Sequence, residues 1–153
     1  MSENRTPPAR PEPSARVRAL DRLVGTWRVS GGVEGTVTYE WAPGEHFLLQ
    51  HVDLHQDDRD IRGLEVIGHL FNPFAGHDKP SADVWSRFYD NHGNTLDYVY
   101  EIDGDTLTIW GGEKGSPARM RGTFDAGGDT MDSEWVYPGG GGYTSTMTRV
   151  RPN

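Results

Sequence analysis

Residues 88–110 read FYDNHGNTLDYVYEIDGDTLTIW and contain two turn signals between alternating apolar segments. Asp90-Asn91-His92-Gly93 suits a type I turn with a left-handed glycine at a bulge. That turn sets Phe88 opposite Leu96 and Ser86 opposite Tyr98, with Arg87 and Asp97 paired on the other face. Asp103-Gly104 suits a two-residue hairpin, which sets Tyr100 opposite Leu107 and Tyr98 opposite Ile109. Apolar groups meet on one face and charges on the other, the period-two signature of a half-buried antiparallel sheet.

The same logic extends in both directions. Upstream, Ala42-Pro43-Gly44-Glu45 reads as a type II turn that places Tyr39 opposite Leu48 and Val37 opposite Gln50. Downstream, the loops at Gly127-Gly128 and Gly139 to Gly142 close so that Phe124 meets Met131 and Trp135 meets Ser145. From Trp27 onward, Gly and Pro punctuate short segments rich in Thr, Val, Tyr, Trp and Phe, which predicts an all-β chain of about ten strands. Consecutive hairpins with one shared inward face favour an up-and-down antiparallel β-barrel over a Greek-key sandwich. Ahead of the strands, Ser14 is placed to cap one short N-terminal helix with Val17, Leu20 and Val24 at helical spacing, ending at Gly25. Residues 1–13 carry four prolines and few apolar groups, so they are expected to be a disordered tail on a barrel domain spanning 14–153.

Composition narrows the function. The chain has 153 residues, no Cys and a net charge of -8. One domain of this size buries about 68–70% of its unfolded surface, enough for one core or one closed barrel. Without Cys there is no disulfide framework, thiolate metal site or cysteine nucleophile. No apolar run approaches the ~18 residues of a membrane span and the first residues lack the apolar core of a signal peptide, so a cytoplasmic location is expected. The acidic balance opposes nucleic-acid binding.

Beyond the turns, LVGTW at 23–27, GTVTYEWAPGEHFLLQ at 35–50, GLEVIGH at 63–69, FYDNHGN at 88–94, YEIDGDTLTIWG at 100–111, RGTFDAGGDTM at 121–131 and TMTRV at 146–150 carry a likeness in order and spacing. The chain resembles a bacterial lipocalin-like (calycin) family of unknown function, related in shape to nitrobindins and fatty-acid-binding proteins. The resemblance implies that Trp27 packs at the closed end of the barrel against a basic residue of the last strand, for which Arg149 is the match. It also offers haem binding, but nitrobindins hold the iron with a histidine from the C-terminal strands, and this chain has no His after His92. A haem would need His46 or another unmatched residue as its ligand, so haem binding of nitrobindin type stays the least favoured reading and no cofactor is expected.

Continuing the registers gives an inward face from which Tyr39, Trp41, Gln50, Ser86, Tyr98, Tyr100, Trp135 and Tyr143 are the candidate ligand-binding residues. Aromatic rings with polar tips are the usual equipment of a mostly apolar pocket with a few orienting hydrogen bonds. Apart from Arg149 at the closed end and His46 near a rim, this face is expected to hold no strong acid or base, which disfavours hydrolases and leaves the catalytic residues unassigned. A metal site is not expected. His51, Asp53 and His55 alternate on a strand at spacings of about 6.6–6.8 Å, long for one ion, on the face that the turns place outside. Asp57, Asp58 and Asp60 lack the ligand spacing of an EF-hand. The glycine run 139–142 has no lysine or helix after it to make a phosphate cradle.

Two readings follow. The first is a binding protein for a small hydrophobic or amphipathic molecule, admitted past the long segment FNPFAGHDKPS at 71–81. The second is a cyclase or isomerase that uses the lumen as a shape-selective active site. A homodimer stays open; nucleic-acid and membrane partners are not expected.

Overall fold

The computed structural model describes residues 11–151. They form ten strands: β1 (Gly25–Gly31), β2 (Glu34–Trp41), β3 (Leu48–Gln56), β4 (Arg59–His69), β5 (Val84–Asp90), β6 (Thr95–Asp103), β7 (Thr106–Gly111), β8 (Arg119–Phe124), β9 (Thr130–Val136) and β10 (Gly142–Arg149). Each strand pairs antiparallel with its sequence neighbours, and β1 pairs with β10, so the meander closes into a barrel. This architecture is consistent with a calycin-like fold.

A helical segment precedes the strands. The Ser14 hydroxyl accepts the Val17 N–H at 3.1 Å, and α1 (Ala15–Arg18) runs directly into a 3-10 turn over Ala19–Leu23. Val17, Leu20 and Leu23 are fully buried on its inner face. Leu23 replaces the expected Val24 there, because the tighter 3-10 winding brings every third residue onto one line. A further 3-10 turn, Pro73–Ala75, is absent from the sequence reading, as it lies in the long segment after β4. Of the expected tail, residues 1–10 lie outside the described residues, and 11–13 carry no regular structure.

The helical segment covers one end of the barrel. The Trp27 indole donates to the Leu23 carbonyl at 2.8 Å, and the Trp41 indole donates to Asp21 at 2.9 Å. Arg149, paired in register with Trp27, holds its guanidinium 4.2 Å from the centre of the indole. It also donates to the carbonyls of Val24 at 2.5 Å, Arg22 at 2.9 Å and Gly128 at 3.2 Å. The stacked pair at the closed end thus forms as the resemblance implied, with an added role in holding three chain segments together.

The β5–β6 register is as expected: Phe88 faces Leu96, Ser86 faces Tyr98, and Arg87 donates to Asp97 at 2.7 Å. Phe124 faces Met131, also as expected. Three other hairpins slip by two residues. Tyr39 pairs with Gln50 and Val37 with Val52, because the chain between β2 and β3 is a six-residue loop rather than a four-residue turn. Tyr100 pairs with Ile109, since the two turn residues are Gly104 and Asp105, with Gly104 left-handed at φ 60°. Trp135 pairs with Tyr143, and Ser133 takes the place beside Ser145. A slip of two preserves the pleat, so the inward face survives where the partner does not.

The segment 71–81 is misplaced by the sequence reading. β4 runs toward the helix-covered end, where His69 Nε2 lies 2.7 Å from the Ser14 hydroxyl and Nδ1 lies 2.7 Å from the Ser81 carbonyl. The segment closes on itself through Leu70 and Ser81, so it belongs to the closed end, and none of its residues lines the cavity.

Candidate ligand site in the barrel lumen

With one end covered, the lumen opens at the other, where the β3–β4, β5–β6 and β9–β10 hairpins lie. Gln56 and Arg59, Asp90 and Asn94, and Tyr137 edge this mouth. Inside is a cavity of about 410 Å³, within the range of small-molecule sites. Its walls include Val29, Val37, Ile109, Met120, Met131 and Met147. Trp135 packs edge-on to Tyr98 with centroids 6.0 Å apart, and Tyr137 stacks on Trp135 at 6.4 Å.

One polar row crosses this apolar lining. Tyr39, Gln50 and Glu65 stand side by side on β2, β3 and β4. Glu65 is 4% exposed. Its Oε1 accepts from Gln50 Nε2 at 2.5 Å and from the Tyr100 hydroxyl at 2.7 Å; its Oε2 accepts from the Ser86 hydroxyl at 2.6 Å. The expectation of a lumen without a strong acid is therefore wrong.

In GLEVIGH both alternating sets contain apolar groups, Leu64 with Val66 and Glu65 with Ile67, so hydropathy does not choose between them. The missed signal is the turn. Asp57 is left-handed at φ 55°, and Asp57-Asp58 make a two-residue connection that pairs Gln56 with Arg59 and, counting inward, Gln50 with Glu65. Reading those aspartates as an acidic loop hid the register.

Burial holds the Glu65 carboxyl above its ordinary range, opposed by the three donors from Ser86, Tyr100 and Gln50. Burial, followed by the nearby Glu65 charge, raises Tyr39 and Tyr100 far above the ordinary phenol value and Tyr98 to about 12. The phenols are neutral at physiological pH.

The sequence candidates divide accordingly. Tyr39, Gln50, Tyr98, Tyr100, Trp135 and Tyr143 line the cavity. Ser86 is buried behind Glu65 and serves its carboxylate. Trp41 sits at the last position of β2, beyond the cavity, with its indole turned to Asp21 of the helical segment. Unused hydrogen-bonding capacity remains. Among the described residues the Tyr39 hydroxyl and the Gln50 amide oxygen have no side-chain or backbone partner, while no fully buried side-chain polar atom is left unpartnered. Both atoms therefore keep access to the cavity.

His51, Asp53 and His55 point outward as expected; His55 pairs with Asp60 at 2.8 Å and Asp53 with Arg62 at 3.3 Å. A histidine-ligated haem does not fit the lumen, since none of the cavity-lining residues is a histidine and His46 lies in the β2–β3 loop at the closed end. No protein-family profile matches the chain, and no curated protein matches it.

Proposed function

We propose that the protein binds a small, largely apolar molecule in the lumen, with its polar end on the Tyr39–Gln50–Glu65 row. The carrying observation is a walled apolar cavity crossed by one buried polar row with unspent hydrogen-bonding atoms. In a packed core those atoms would have found protein partners, because an unmet buried group costs about 1–3 kcal/mol.

Native mass spectrometry of protein purified from its own source tests for a retained ligand. In parallel, the neutral fluorophore N-phenyl-1-naphthylamine reports lumen occupancy. The wild type is expected to bind it, and Ser133→Phe, which pushes a ring into the cavity, is expected to weaken it at least about tenfold, equivalent to about 1.4 kcal/mol. Equal binding by the two proteins, or none by the wild type, would sink this reading.

A second reading, a cyclase or isomerase, is favoured by Glu65 itself, a buried carboxyl in contact with two hydroxyls and able to lend or take a proton. Its signature would be a Glu65→Gln variant that retains the copurified compound but no longer converts it.

A further inference from the structure

Glu65 is a buried acid that no cation among the described residues accompanies. Gln50 from β3, Ser86 from β5 and Tyr100 from β6 contact its carboxylate. Tyr39 from β2 and Tyr98 from β6 are the further titratable groups that feel its charge. Among the described residues no Lys, Arg or His pairs with it. Arg59 and Asp90 stand at the mouth, and Arg149 and His69 are engaged at the closed end. A buried charge without a partner takes up a proton or acquires a counter-ion.

The hydrogen bonds have a direction. All three neighbours donate into the carboxylate, so on the lumen side the oxygen atoms of Gln50 and Tyr100 keep lone pairs, as does Oε2 of Glu65. With Glu65 ionised, the row is rich in acceptors toward the lumen and carries a negative charge. The aromatic rings of Tyr39, Tyr98 and Trp135 line the same space. A ligand carboxylate seated on this row would instead meet a second anion, and among the described residues the cation lining the cavity, Arg59, stands away at the mouth.

We propose that the lumen takes an organic cation, a protonated primary amine on an apolar body, whose ammonium group seats against Glu65 in place of the carboxyl's proton. This rests on the lumen-binding reading and specifies its ligand class. Three donors on the ammonium match the acceptors of the row, and the apolar body matches the walls. The chain's net charge of -8 adds long-range attraction for a cation.

Three probes with one apolar body test it: 2-(1-naphthyl)ethylamine, 2-(1-naphthyl)ethanol and 1-naphthylacetate, titrated calorimetrically. The amine is expected to bind at least about tenfold tighter than the alcohol at neutral pH, and the carboxylate weakest. Because the cation displaces a proton, amine affinity should fall as pH is lowered through the titration of Glu65, with proton release visible as a buffer-dependent heat; alcohol affinity should not fall. In Glu65→Gln the amine preference and its pH slope should vanish while the alcohol still binds. If that variant fails to fold, the slope and proton release in the wild type decide alone. Alcohol binding without an amine preference, or without the pH slope, overturns the cation proposal and leaves the lumen reading standing. No binding of any of the three overturns both.

Discussion

At the scale of single residues, a buried acid without an ion pair gives stability a pH dependence of definite sign. Burial holds the folded-state pKa of Glu65 above its ordinary 4.5, so between these values the native state keeps a proton that the unfolded chain has lost. Its contribution is fully present below the unfolded pKa and is lost as pH rises through the folded one. Asp60, lowered by hydrogen bonding to His55, Asp90, lowered by hydrogen bonding to Asn94, and Asp97, lowered by hydrogen bonding to Arg87, act oppositely, and their contributions are lost as pH falls. Subtracting the denaturation profile of Glu65→Gln from that of the wild type cancels them. The difference is expected to decline with rising pH, and a flat difference would mean that Glu65 is not titrating from a buried state. Arg149 gives a second prediction. Arg149→Ala strands three backbone carbonyls and uncovers Trp27, so a loss of about 2–4 kcal/mol in urea denaturation is expected. Arg149→Lys should recover less than half, since an ammonium lacks the planar fork that reaches all three. Full recovery by lysine would show that charge alone matters.

Within the elements, β4 carries the consequential parity. Its inward positions are Ile61, Gly63, Glu65 and Ile67, all held in place by pairing with β3 and β5. Gly63 is required by close approach: a Cβ there would stand 2.0 Å from the Tyr89 carbonyl and 2.8 Å from the Phe88 ring. Gly122 on β8 is a useful contrast, because its Cβ would meet the flexible Met131 side chain, with the sulfur at 2.7 Å. Gly63→Ala is expected to cost about 2–3 kcal/mol and to shift β4 against β5, while Gly122→Ala costs about 1 kcal/mol or less. Equal melting temperatures for the two variants would contradict this account of β4. The hairpins explain why the inward face was more legible than the partners. Turn residues at 90–93 gave the right register, whereas those at 42–45 and 103–104 each gave a register displaced by two, an even step that leaves every side chain on its face.

For the whole molecule, the consequence of closure is polarity: one end is covered by the helical segment and the other is the route to the lumen. Tyr137, 43% exposed on the β9–β10 side of the mouth and stacked on Trp135, is positioned to gate that route. In stopped-flow measurements with N-phenyl-1-naphthylamine, Tyr137→Ala is expected to raise the release rate by about threefold or more, while Pro80→Ala in the segment at the helix end leaves it unchanged. The reverse pattern would place the route beneath the helical segment. A ligand that enters by the mouth also stabilises the native barrel by mass action, so occupancy is readable as a rise in melting temperature.

The sequence by itself determined the all-β class, the antiparallel meander and the capped helical segment. Each follows from local signals: turn residues, period-two alternation and a capping serine; the stacking of Arg149 on Trp27 was implied by the family resemblance alone. Six of the eight proposed lumen residues were legible for the same reason, since alternation survives an even slip. What tertiary structure alone decided was the end of the barrel at which the segment 71–81 lies and the gathering of Gln50, Ser86 and Tyr100 around Glu65. In GLEVIGH both faces of the strand can pass for the core by hydropathy, and it is the Asp57-Asp58 turn pairing β4 with β3 that selects one. The four groups come from four strands spread over some fifty residues, so their meeting depends on the closed sheet's lateral order and not on any spacing along the chain.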